Sequence, residues 1–267
     1  MRIFGVDFTC APRKAKPITA AFGALKGKTL HLQGVERRES FAAFEAFIRQ
    51  PGPWIGGFDF PFSLPLELSR DLRWPQEWAA LVAHCRAFDR PRFREVLDAY
   101  RKTRAAGKKY AHRATDLPAG SSSPMKLVNP PVALMFHEGA HRLLASGARI
   151  PGLLENGSSR IALEAYPGLL VRKQLGLRAS YKSDTRSEQT PARKAVRRAV
   201  VKAMVEAKPL GIALRADKKL LGGLVSDGSG DLLDAAICAL QAAWAAGRKN
   251  YGIPADAPRG EGWIISA

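Results

Sequence analysis

The sequence predicts an α/β protein in which a mixed sheet is flanked by helices. Three observations support this fold class in the 267-residue chain. Short apolar runs, two of which end close to an Asp, are typical of buried strands. Capped segments with apolar residues at helical spacing predict helices. The two kinds of segment also alternate along the chain in a recognisable order.

The N-terminal part carries most of the strand signals. RIFGVDFT (2–9) predicts a buried strand, and 17–25 with 28–36 predict a hairpin around Lys26 and Gly27. The segment 40–50 then begins with Ser40 as the predicted cap of a helix and has a helical spacing of apolar residues. PWIGGFDFP (53–61) predicts a fourth strand. These segments form one continuous half of the predicted sheet.

The rest of the chain is interrupted by a region of different character. Residues 62–150 contain Pro-punctuated helical patterns without a clear strand. SRIALEAYP (159–167) predicts a fifth strand, and 190–207 predicts a helix with Thr190 as its cap. A last helix is expected over 230–247, where Gly247 ends it.

This order of elements is that of the ribonuclease H fold with a helical insertion after the fourth strand. We therefore expect a single domain over 1–267, with its core in 1–61 and 159–267 and the insertion in 62–158. In that fold the first and fourth strands are parallel neighbours. Asp7 and Asp59 would then face one crevice.

Further carboxylates are expected at the same crevice. Glu164 is on the fifth strand, and Asp231 and Asp234 share one side of the last helix. Clustered carboxylates favour Mg²⁺ or Mn²⁺, so Asp7, Asp59, Asp231 and Asp234 are the candidate metal ligands. Alternatives stay open, because Asp7 and Asp59 could bind turn amides, Asp231 could cap its helix and Glu164 could pair with an Arg.

Several motifs resemble those of one known family. GVDFTCAPRKAKP, GGFDFPFSLP, ALEAYPG and GDLLDAAICALQAAW, together with RATD (113–116) and EGAHRLL (138–144), resemble the domain-of-unknown-function 429 family. That family is regarded as predicted nucleases of the ribonuclease H-like superfamily. The resemblance implies catalytic roles for Asp7, Asp59, Glu164 and Asp234, and the last helix is also similar to that of Holliday-junction resolvases.

Strong positive charge predicts a polyanionic partner, with nucleic acid as the leading candidate. The formal net charge is +18, which attracts phosphate backbones without base specificity. A basic surface with no bound partner is the alternative. The candidate contacts lie in 101–113 and in the 190–207 helix. They are Arg101, Lys102, Lys108, Lys109, Arg113, Arg193, Lys194, Arg197, Arg198 and Lys202.

A competing motif lies in FHEGAH (136–141). His137, Glu138 and His141 form the H-E-x-x-H pattern of zinc hydrolases. Gly139 weakens the helix, however, and no His follows to complete the ligand set. We therefore predict a metal-dependent nuclease and keep a non-catalytic nucleic-acid-binding protein, an actin-like phosphotransferase and the zinc hydrolase as alternatives, in that order.

The remaining composition constrains the class of protein. Cys10, Cys85 and Cys238 are widely spaced and odd in number, which predicts neither disulfides nor a Cys-rich zinc site. No apolar run reaches the ~20 residues needed to span a bilayer. The N-terminus is a poor signal peptide. We expect a reduced, cytoplasmic protein.

Overall fold

The computed structural model describes all residues, 1–267, and is built around one six-stranded mixed sheet. The strand order is β5-β4-β1-β2-β3-β6. β2 pairs antiparallel with both β1 and β3, whereas β4 pairs in parallel with β1, β5 with β4 and β6 with β3. The strands are β1 Arg2–Asp7, β2 Ile18–Lys26, β3 Thr29–Arg38, β4 Trp54–Asp59, β5 Arg160–Glu164 and β6 Ala213–Arg215.

Nine α-helices cover the sheet. Five of them, α2 to α6, lie between β4 and β5, in the segment predicted to be a helical insertion. The helices are α1 Phe41–Ile48, α2 Leu66–Asp71, α3 Trp78–Arg86, α4 Arg90–Thr103, α5 Asp116–Ala119, α6 Val132–Ser146, α7 Pro191–Val205, α8 Lys218–Ser226 and α9 Asp231–Ala246. None of them is both long and apolar enough to cross a membrane.

The prediction of an α/β fold with a helix-flanked mixed sheet is confirmed. The hairpin of β2 and β3 forms as expected, and α1 and α7 begin at the predicted caps. The Ser40 and Thr190 hydroxyls each accept a hydrogen bond from a backbone N–H of the first helical turn. The first and fourth strands are parallel neighbours, with Asp7 directly beside Asp59.

Two elements at the far edge of the sheet were not predicted. The strand β6 has only three residues and pairs with Thr29–His31 of β3. Helix α8 contains Gly222 and Gly223 in its middle, which lowers its intrinsic helix propensity. Its hydrogen-bonded cap at Asp217 and its packing against α7 and α9 stabilise it instead. Tertiary contacts therefore decide the structure of both segments.

Two hydrophobic cores lie on opposite faces of the sheet. Phe4, Phe8 and Phe58 point towards α1 and the insertion helices. Ile3 and Ile55 point towards α7, α8 and α9. Since side chains alternate along a strand, odd-numbered residues of β1 and β4 face α9. Asp7 and Asp59 therefore lie on the α9 side.

Close backbone packing fixes α9 on the sheet. A Cβ atom at Gly5 would lie 2.1 Å from the Ala235 carbonyl oxygen, and one at Gly57 would lie 2.4 Å from the Cys238 carbonyl oxygen. Only Gly allows the backbones to approach this closely. This packing brings the first turn of α9 over the ends of β1 and β4.

We expect Gly5→Ala to destabilise the protein by about 1–3 kcal/mol, because α9 must move away from the sheet. Chemical denaturation at neutral pH measures this. Gly222→Ala is the matched control, since a Cβ there meets nothing within 4 Å and Ala favours a helix over Gly. A Gly5→Ala protein as stable as the wild type would contradict the packing argument.

Candidate carboxylate site

The candidate site lies where β1 and β4 end beneath the start of α9. Asp7 and Asp59 are the last residues of their strands and are partners in the parallel register. Neighbouring strands are about 4.8 Å apart, so the two half-buried side chains are close neighbours. Both line a cleft of about 960 Å³ between the sheet and the insertion. The predicted shared crevice for these two carboxylates is thus present.

Helix α9 adds two further carboxylates. Asp234 is fully buried and accepts hydrogen bonds from the Tyr181 hydroxyl, at 2.6 Å, and from the Lys182 ammonium. Asp231 accepts a bond of 3.0 Å from the Lys16 ammonium. The alternative that Asp231 caps its helix is wrong, because Gly230 occupies the cap position and Asp231 begins the helix.

The carboxylates crowd one another with little positive charge nearby. Burial raises the pKa of Asp7 well above its usual range, and the negative charges of Asp234, Asp231 and Asp59 raise it further, while Lys182 opposes them. Burial also raises the pKa of Asp59 to about 7, again against the effect of Lys182. Four carboxylates share two ammonium groups, so negative charge is in excess.

The donor atoms suit a hard divalent cation. Carboxylate oxygens are the ligands that Mg²⁺ and Mn²⁺ prefer. Thr19, the register partner of Asp7 on β2, adds a fully buried hydroxyl that has no hydrogen-bond partner. In the present arrangement no three His, Cys, Asp or Glu side chains are grouped closely enough to hold a metal ion. Asp234 is instead bound to Tyr181 and Lys182.

The raised pKa of Asp59 predicts a pH dependence of stability. The folded state binds a proton at Asp59 more tightly than the unfolded state does, where the pKa is near 3.8. The stabilisation is therefore complete below pH ~4 and is lost as the pH rises through about 7. Asp59→Asn removes this loss, so the variant should gain about 1–3 kcal/mol relative to wild type between pH 5 and pH 8.

Thermal or urea unfolding in the presence of a metal chelator measures the stability gained by Asp59→Asn. A difference in stability between variant and wild type that is the same at pH 5 and pH 8 would contradict the raised pKa of Asp59. Asp256→Asn is a suitable control, because Asp256 is exposed and lies outside the cleft.

Glu164 requires a correction. Its carboxylate is buried and accepts bonds of 2.6 and 2.7 Å from Arg113 and one of 2.9 Å from the Phe62 backbone N–H. Both oxygens are engaged, so Glu164 does not serve as an open metal ligand or catalytic base here. The structure supports the alternative that Glu164 pairs with an Arg, and this partner is Arg113 of the insertion.

The predicted nucleic-acid contacts need correction at two positions. Arg113 is 2% exposed and binds Glu164 and Asp116. Arg197 is also 2% exposed and donates to the backbone oxygens of Tyr181 and Val225. Neither guanidinium is free to contact a phosphate, because each satisfies buried acceptors of the fold.

The other predicted basic residues lie outside the cleft. Their segments, in α4 with the loop after it and in α7, contribute no side chain to the cleft wall apart from Arg113. Instead the cleft is lined by five basic residues that the sequence patterns did not single out, since one stands in a short π-helix, Leu169–Gln174, and the others stand outside helices and named strands. They are Lys16, Lys126, Arg172, Arg178 and Lys182.

The H-E-x-x-H residues serve the packing of α6. His137 is buried, stacks near Phe93 and donates through Nε2 to the Phe88 carbonyl oxygen, at 3.0 Å. Glu138 accepts from Arg90 at 2.6 Å and from Arg142 at 2.8 Å. These contacts occupy Nε2 of His137 and both carboxylate oxygens of Glu138. The helix continues through Gly139. A Cβ atom at this position would collide with the Phe60 ring, which explains why a Gly stands here.

Comparison with known proteins identifies one family. A family model described as a protein of unknown function, DUF429, matches residues 5–259. No curated protein and no solved structure gives a significant match. The match covers the sheet, the insertion and all the carboxylates of the cleft.

Proposed function

The chain belongs to the DUF429 family of proteins of unknown function, and we propose that it is a divalent-metal-dependent nuclease with a ribonuclease H-like core. The strand order supports the fold, because an antiparallel β1-β2-β3 unit continues into parallel β4 and β5. The single observation that carries the function is the position of Asp7 and Asp59 at neighbouring strand ends beneath the first turn of α9, where the charge of Asp234 acts on both carboxylates.

The proposed metal ligands are Asp7, Asp59 and Asp234, with Asp231 one turn away on the outer side of the cluster. A bound Mg²⁺ or Mn²⁺ would activate water and stabilise the leaving oxygen of a phosphodiester. The chain itself supplies the negative charge that retains the ion and the sheet that fixes the ligands. Protons held by Asp7 and Asp59 would be released on binding, so the metal affinity should rise with pH.

The substrate class follows from the walls of the cleft. Lys126, Arg172 and Arg178 line the cleft that the carboxylates open into, and none of them forms an ion pair with an acidic side chain. They would contact backbone phosphates and position the strand above the cluster. The excess positive charge of the chain adds a long-range attraction for nucleic acid.

A cleavage assay tests the proposal. Purified protein is incubated with labelled single-stranded and duplex DNA and RNA, a hybrid and a four-way junction, in Mg²⁺, Mn²⁺ or chelator. Cleavage of at least one substrate that requires the metal is the expected result. Binding of these substrates without cleavage under any condition would overturn the nuclease proposal and favour the non-catalytic alternative.

Nucleic-acid affinity should fall steeply as the salt concentration rises, because each phosphate contact releases counterions. Arg178→Ala should weaken binding to all sequences alike and reduce the slope of log K against log salt by about one. Lys194→Ala on α7 is the matched control, since its exposed side chain lies outside the cleft. An equal loss in the two variants, or affinity independent of salt, would contradict a cleft-bound strand.

A further inference from the structure

The Lys182 ammonium is placed among the carboxylates of the cleft. It donates to Asp234, and its charge also acts on Asp7 and Asp59. The opposite Asp234 oxygen is held by the Tyr181 hydroxyl at 2.6 Å. The Lys182 ammonium therefore lies beside the proposed metal ligands and is bonded to one of them.

Hydrogen bonds hold the segment that carries Lys182 on both sides of this residue, and one joins the Ser183 N–H to the Gly228 carbonyl oxygen at 3.2 Å. Arg197 donates to the Tyr181 carbonyl oxygen at 2.6 Å, which anchors the segment from below. Lys16 bridges Asp184 at 2.7 Å and Asp231 at 3.0 Å, which holds its far end. Lys182 itself is 42% exposed along its side chain. Its ammonium can leave the carboxylates by side-chain rotation alone, while Tyr181 stays in place.

We propose that Lys182 is a resident counter-ion that a divalent cation displaces and that its ammonium then contacts the substrate phosphate. This inference rests on the proposed function. One ammonium group carries half the charge of a divalent cation, and it leaves the carboxylates with excess negative charge. A divalent cation neutralises them more completely and makes the Lys182 interaction dispensable.

The displaced ammonium remains useful in the cleft. A Lys side chain is flexible and acts as a point charge towards phosphate oxygens. Lys182 lines the same cleft as Lys126 and Arg178, so a rotation within the cleft keeps it near the bound strand. Lys182 would thus stabilise the carboxylates without metal and position the phosphate with metal.

The two roles predict opposite effects of Lys182→Met. Mn²⁺ affinity, measured by calorimetry, should increase about tenfold or more because the competing cation is removed. The melting temperature of the metal-free variant should fall, since buried Asp234 loses its cationic partner. Cleavage at saturating Mn²⁺ should nevertheless be slower, because the phosphate contact is lost. Lys173→Met is the control for Mn²⁺ affinity, as its ammonium binds the Leu117 and Pro118 carbonyl oxygens.

The possible results for Lys182→Met separately test the counter-ion role, the phosphate contact and the proposed nuclease function. Mn²⁺ affinity that is unchanged or weaker in Lys182→Met, with clear binding by wild type, would overturn the counter-ion inference and leave the proposed function standing. Tighter Mn²⁺ binding with faster cleavage would overturn the phosphate contact. An absence of Mn²⁺ binding in both proteins would overturn the proposed function together with the inference.

Discussion

Asp7→Asn is expected to reduce metal-dependent cleavage by about 10³-fold or more. Asp7 lies between Thr19 and Asp59 in the sheet register and is influenced by every other carboxylate of the cluster. Asn keeps the shape but removes the charge that retains the cation, and a bound metal supplies several kcal/mol of transition-state stabilisation. Initial rates at a series of Mn²⁺ concentrations measure the effect.

The same variant should remain folded. Since burial raises the pKa of Asp7, loss of its charge should increase the stability of the metal-free protein above neutral pH. His141→Ala is the control that separates this site from the H-E-x-x-H motif. Cleavage that survives in Asp7→Asn but disappears in His141→Ala would contradict the carboxylate mechanism and favour a zinc hydrolase.

Arg113→Met is expected to destabilise the protein by about 3–5 kcal/mol, because it leaves buried carboxylates without their cation. The Arg113 guanidinium binds Glu164 and, at 2.9 Å, Asp116, and it also reaches the Glu261 carbonyl oxygen at 3.3 Å. It therefore joins the insertion to β5 and to the C-terminal segment. Urea denaturation, monitored by circular dichroism, measures the loss.

A second substitution tests whether the loss comes from unpaired charge. Arg113→Met combined with Glu164→Met should recover part of the stability, since the paired groups are removed together. Arg113→Lys should fall between the single variant and wild type, because it keeps the charge but loses the two-pronged geometry. A loss below 1 kcal/mol in Arg113→Met would show that the ion pair contributes little.

The strands and capped helices were predictable because their patterns are local. The two Gly-Val-Asp and Gly-Phe-Asp endings of β1 and β4 combine a packing residue with a carboxylate at fixed spacing. The backbone of α9 packs directly against Gly5 and Gly57. The same short segments that form the two strands therefore also place their Asp residues beneath α9. The proximity of Asp7 and Asp59 was predicted from the order of the elements, which places the first and fourth strands side by side.

Partners that come from irregular segments were not predictable in the same way. Lys182 lies in an irregular segment just before the polar stretch SDTRSEQT (183–190), and Lys16 lies before β2. The basic rows on α7 had a clear helical spacing, yet Arg197 in those rows turns inward to bind backbone oxygens. Spacing identifies the face of a helix, whereas only tertiary structure shows which charged side chain is buried.

The most direct measurement of the central claim is a crystal structure after soaking in Mn²⁺, with anomalous scattering used to locate the metal. We predict an anomalous peak among the Asp7, Asp59 and Asp234 carboxylates, together with a Lys182 ammonium that no longer contacts Asp234. An absence of anomalous density at the cluster at saturating Mn²⁺, with Lys182 still bound to Asp234, would contradict it.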